Sequence, residues 1–250
     1  MKYIKLYESF ENIDSICEKY YIRNYTINSD GTVDVDGNIY LSRKKLIKLP
    51  LKFGKVGGYF NCGVNSLTTL EGSPQSVGGS FHCEYNDLAT LEGSPQSVGG
   101  KFDCYYNRLI TLKGGPKSVG DFMSSNNLLT SLEFCPQSVG GNFCCSNNKL
   151  ITLEGCPHAI GNITFLNNEL KDLYGFPEFF DGDFSYDYNP VGEILDLFKT
   201  NRIGKVIDLL NEYDVIQQDG KLVILDRLEE VFHTLNMKIP KINLKNYEVY

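Results

Sequence analysis

Residues 77–97, "VGGSFHCEYNDLATLEGSPQS", are followed at once by residues 98–118, "VGGKFDCYYNRLITLKGGPKS", the same 21-residue sentence with a few letters changed. Further copies begin at Val56, Val119, Val139 and Ile160, a worn copy precedes them at Val35, and a truncated one follows at Phe180. Eight units of 20 or 21 residues, each too small to bury its own apolar side chains, must share burial with their neighbours, and stacking is how a chain does this. The period therefore predicts a solenoid and excludes an ordinary layered globule.

The shared frame is V-G-G-x-F-x-C-x-x-N-x-L-x-x-L-x-G-x-P. Its F-x-C portion alternates like a short strand, so Phe and Cys are expected to point to one face, inward. Two leucine columns, beginning Leu46 and Leu49, complete the expected core. An asparagine column (Asn65, Asn86, Asn107, Asn127, Asn148, Asn168, Asn189) is the most specific element, because a buried amide can satisfy backbone groups of its own and the adjacent coil. The first unit has Lys44 there, as an end unit lacking one neighbour can.

The run F-x-C-x-x-N-x-L-x-x-L resembles the leucine-rich-repeat core. Its short period, with Pro in the return segment, resembles the bacterial subclass found in secreted effectors, and its wording is closer still to repeat proteins of large tailed bacteriophages. The resemblance implies an α+β, mainly β fold: a leucine-rich-repeat solenoid over residues 35–192, with a curved parallel sheet on a concave face and short extended, irregular or 3₁₀ segments on the convex side. It implies little about function, since such families are defined by scaffold. Effectors with ubiquitin-ligase activity carry a large extra domain, and the residues from Glu193 onward are too few for one.

The ends are written differently. In residues 1–34, "ENIDSICEKYYI" places Ile13, Ile16, Cys17 and Tyr20 at helical spacing, and "YTINSDGTVDVDG" reads as a hairpin turning at Ser29-Asp30-Gly31. In residues 193–250, "EILDLFK", "IGKVIDLLNEY" and "LDRLEEVFHTL" are amphipathic helical patterns, with Pro240 expected to stop the last. We expect an N-terminal helix-and-hairpin cap and a C-terminal helical cap.

Charge narrows the partners. The formal net charge of −7 is distributed as +3 over residues 1–55, −8 over 56–190 and −2 over 191–250. An acidic repeat body does not suit nucleic acid as main ligand, because phosphate contacts need Lys and Arg. No apolar run reaches membrane-span length and no leader is visible, so no membrane role is expected and a cytoplasmic location in a bacterial host is. The eight cysteines show none of the paired spacing of metal sites and read as small buried hydrophobes. "NSDGTVDVDG" lacks two essential ligands of a calcium loop. No metal, cofactor or catalytic residue is expected. His82, with Glu84 and Asp103 near by, could do acid–base work, but no nucleophile motif accompanies it.

The differences between copies concentrate at the residues flanking Phe and Cys. A constant scaffold with one varied surface fits recognition better than reaction. Tyrosine is favoured at interfaces, and it clusters on the second to fourth units. The expected partner-binding residues are Tyr59, Asn61, His82, Glu84, Tyr85, Asp103, Tyr105, Tyr106 and Met123, with a secondary basic patch at Arg43, Lys44, Lys45 and Lys48. The expected function is a non-enzymatic protein–protein interaction module, phage-encoded, monomeric or weakly oligomeric, that occupies a host or viral protein. The alternatives are a virion-associated structural protein docked through "MKYIKLYESF", or a glycan or small-ligand binder on the tyrosine-lined face.

Overall fold

The computed structural model describes residues 13–159, 161–177, 182–200, 202–217 and 220–250. The proposed docking peptide Met1 to Phe10 lies outside them. The repeats form a mainly β parallel solenoid of about seven turns. Each F-x-C segment contributes a two-residue strand, and these strands stack in one eight-stranded sheet from Ile39–Tyr40 to Phe184–Ser185. Neighbours are parallel and in strict register: Phe60 pairs with Phe81, Phe81 with Phe102, Phe102 with Phe122.

The inward columns explain this register. Phe60, Phe81, Phe102, Phe122 and Phe143 are fully buried and stack face to face, with centroids 5.2–5.8 Å apart. A slip of one residue would drive that column into water. Cys62, Cys83, Cys104 and Cys145 are fully buried in the next column. Ser124 stands among them, its hydroxyl satisfied by the Cys144 carbonyl.

The asparagine column stitches each coil to the one before it. Asn86 accepts from the Leu67 N–H (2.9 Å) and donates to the carbonyls of Cys62 and Cys83 (both 3.1 Å). Asn127, Asn148, Asn168 and Asn189 repeat the pattern. Asn65 does it for the first unit, taking the N–H groups of Lys44 and Leu46.

The return segments take the extended form, one of the forms expected for them. No 3₁₀ turn occurs among the described residues; instead, Ser-Val pairs such as Ser76–Val77 and Ser97–Val98 form further parallel ladders opposite the main sheet. The valines are buried, and a side chain on Gly78 or Gly99 would strike the carbonyl of the matching glycine one coil earlier. The V-G-G triplet thus joins a core anchor to a close backbone approach.

Helix α1 covers residues 13–19 and puts Cys17 into the core. The antiparallel pair Tyr25–Ile27 and Val33–Val35 follows, and Val33–Val35 pairs with Phe53–Val56 of the first return. After the last coil come α2 (Gly192–Leu195), α3 (Ile203–Glu212) and α4 (Leu225–Thr234). Phe198, which follows α2, stacks on Phe232 of α4 with centroids 4.3 Å apart. Helix α4 ends well before Pro240. Asn236 adopts φ 52°, its N–H bonds the His233 carbonyl, and the Met237 N–H bonds the Phe232 carbonyl, a left-handed terminator that stops the helix first. This region is tied to the solenoid by the Tyr247 hydroxyl on the Lys171 carbonyl (2.9 Å) and Asn211 on the Leu173 carbonyl (3.3 Å).

Candidate functional site

On the outward face of the eight-stranded sheet, the side chains between Phe and Cys form a straight column, including Asn61, His82, Asp103 and Met123. His82 and Asp103 are direct cross-strand partners. Glu84 lies two residues beyond His82 and therefore on the same face. The three converge: His82 Nδ1 is 3.8 Å from Glu84 Oε2 and 3.8 Å from Asp103 Oδ2, and Lys101 Nζ is 3.0 Å from Asp103 Oδ2.

These acids are not the exposed surface the sequence suggests. Asp103 is buried, and the Glu84 side chain is 13% exposed. Gly63 is the reason Glu84 can retreat, since any side chain there would collide with its carboxylate. Burial pushes the Glu84 carboxyl above the usual carboxylate range; the Asp103 charge adds to this, and His82 and Lys101 oppose it. Glu84 Oε2 and Asp103 Oδ1 are buried without a hydrogen-bond partner.

Beside this cluster the tyrosines pack together. Tyr85 and Tyr106 stack with centroids 4.7 Å apart and planes 9° from parallel, and Tyr105 meets both edge-on at 5.0 and 5.4 Å. Tyr85 and Tyr106 are 44% and 47% exposed. The Tyr105 hydroxyl is pushed up to about 12 by burial, by its bond with Tyr85 and by the nearby Asp103 and Glu84 charges. Tyr59 is exposed, whereas Asn61 turns back on its own strand to accept the Gly63 N–H. Met123 is half-buried.

The backbone explains part of the variation. The residue before each column asparagine, and before Lys44 in the first unit, has positive φ: Arg43, Val64, Tyr85, Tyr106, Asn126, Asn147, Asn167 and Tyr188 lie between 50° and 61°. Asparagine tolerates this left-handed conformation; tyrosine and valine do not favour it. The column before Phe also has a scaffold role that sequence reasoning missed. Asn38, Ser80, Asp121, Asn142 and Asn162 each accept the backbone N–H of the matching residue one coil later. Lys101 belongs to that column but pairs with Asp103; its K-x-D spacing was the available signal.

The basic patch is partly assembled. Lys45, Lys48 and Lys52 border a groove floored by Leu46, Leu49 and Leu51, while Arg43 and Lys44 are exposed outside its lining. All eight cysteines are free thiols. Burial pushes those of Cys62, Cys83, Cys104 and Cys145 upward, so they stay protonated and unreactive near neutral pH. No helix among the described residues is long and apolar enough to cross a membrane.

No protein-family model, curated protein or solved structure matches this chain. The reading of the site therefore rests on its own geometry.

Proposed function

We propose that this chain is a non-enzymatic protein-binding module whose partner docks on the outward sheet face over the second to fourth units. The observation that carries this reading is the placement of Tyr85 and Tyr106. They occupy left-handed positions that cost less with asparagine, which the fifth to seventh units use there. A residue kept against backbone preference and half exposed is explained by what its side chain offers: rigid aromatic area with a polar tip. The preformed face would pay little ordering cost on docking.

The same reading takes the chain as a leucine-rich-repeat protein of the short bacterial or bacteriophage type, acting on a host or viral protein in the host cytoplasm. The V-G-G-x-F-x-C-x-x-N-x-L frame supports it. The N-terminal helix and hairpin and the C-terminal helices then cover the two ends of the solenoid. Pairing of Val33 with Phe53 and the Tyr247–Lys171 bond favour that role.

The test is affinity capture from bacterial lysate, infected and uninfected, with the wild type and a Tyr85→Asn, Tyr105→Ser, Tyr106→Asn variant. Each new residue is what later units carry in that column, so the variant should keep the wild-type circular dichroism. A partner held by the wild type and lost by the folded variant is expected. Equal recovery by both would sink the assignment of this face.

A further inference from the structure

We propose that His82, Glu84 and Asp103 form a binding site for one divalent transition-metal ion of the Zn²⁺, Co²⁺ or Mn²⁺ class. The site would use one imidazole nitrogen and two carboxylate oxygens. Three observations converge on it. First, the fold presents the donors together. Cross-strand register sets Asp103 beside His82, alternation sets Glu84 on the same face, and one donor atom from each lies within 4.8 Å of the others. The 3.8 Å separations from His82 Nδ1 are too long for hydrogen bonds. They are close to the ~3.4 Å spacing of two ligands on one tetrahedral ion with bonds near 2.1 Å.

Second, each carboxylate keeps one oxygen without a hydrogen bond. Glu84 Oε2 and Asp103 Oδ1 are buried and make no hydrogen bond. The Asp103 side chain is only 6% exposed. Buried carboxylate oxygens are ordinarily paired or coordinate metals. Lys101 holds Oδ2 of Asp103, the oxygen 3.8 Å from His82 Nδ1, and leaves Oδ1 of the same carboxylate open for the ion, so that Lys101 stands as an outer partner that orients the ligand. Third, space has been cleared and access kept: Gly63 makes room for the Glu84 carboxylate, and His82 is 24% exposed on its side chain.

The donor set selects the class of ion. Calcium and magnesium take oxygen ligands throughout, whereas a mixed imidazole–carboxylate set suits borderline first-row ions. Cys62, Cys83, Cys104 and Cys145 stand on the other side of the sheet; Cys144 is in the outward column two coils beyond Asp103, and the cobalt spectrum shows whether its thiol takes part.

The experiment is equilibrium dialysis of the chelator-stripped full chain against Co²⁺, with visible absorption recorded in parallel. One Co²⁺ per chain is expected, showing ligand-field bands without the thiolate-to-cobalt charge-transfer band, and displaced by Zn²⁺. His82→Ala, and His82→Thr after the Thr164 of the same column, should weaken binding by more than the ~10-fold that loss of an outer partner costs. His158→Ala should leave it unchanged. Circular dichroism confirms that the variants are folded. No retained Co²⁺, a thiolate band, or equal affinity in both folded His82 variants would overturn the proposal.

Discussion

The second to fourth units and the fifth to seventh share one backbone but not one surface. At the same left-handed position the later units carry Asn126, Asn147 and Asn167, and the earlier ones Val64, Tyr85 and Tyr106. The later units follow local preference; the earlier ones oppose it. Tyr85 and Tyr106 recover part of the cost by stacking, since an aromatic pair contributes about 0.5–1.5 kcal/mol beyond its burial. Val64 has no such compensation and is β-branched, the least suited type. The scaffold thus tolerates local strain while its core columns stay filled, which leaves the outward face open to variation.

The largest effect is expected from attacking the shared scaffold in one unit of each set. Asn86→Ala and Asn148→Ala each orphan one buried N–H, that of Leu67 or Leu129, while the carbonyls they serve keep the amide of the neighbouring unit's asparagine. At about 1–3 kcal/mol for a buried group left unsatisfied, each should lose roughly 1–3 kcal/mol in urea unfolding. A loss in one variant only would show that the two sets of units are not equivalent supports. A smaller effect tests the left-handed column directly. Tyr188 is 84% exposed at φ 61°, so Tyr188→Asn should raise stability by about 1 kcal/mol and Asn147→Tyr should lower it similarly. Tyr106→Asn should change little, because relief of strain and loss of the stack offset. If thermal melts rank the three otherwise, backbone strain is not what distinguishes the regions. The smallest effect is at Phe134, which holds φ 65° where other units have glycine at φ 81–92°. Phe134→Gly should gain about 0.5 kcal/mol, the left-handed relief being partly cancelled by the freedom glycine adds to the unfolded chain.

The repeat made much of the fold legible in advance. The solenoid, the inward Phe and Cys columns, the asparagine stitches and the hairpin at Asp30-Gly31 all follow from residue type at fixed spacing. The return ladder did not, because two residues such as Ser76 and Val77 are too few to display an alternation. The left-handed column was hidden for another reason: three asparagines pointed to it, but the tyrosines read as surface. The candidate site was half legible. Alternation correctly grouped His82, Glu84 and Asp103. It could not show that Asp103 is buried, because that depends on Lys101 reaching over from the neighbouring column and on Gly63 admitting Glu84 from one coil away.

The asparagine stitches have a direction. Each amide serves the coil before it, and Lys44 needs none because no earlier unit of this kind precedes it. Every unit therefore brings the fastening for its predecessor and relies on its successor for its own. A gene encoding such a chain can gain or lose whole units by tandem duplication or deletion, and the junction it creates is already a working one. Length becomes a quantity that recombination can adjust in steps, while a break inside a unit leaves one coil unfastened.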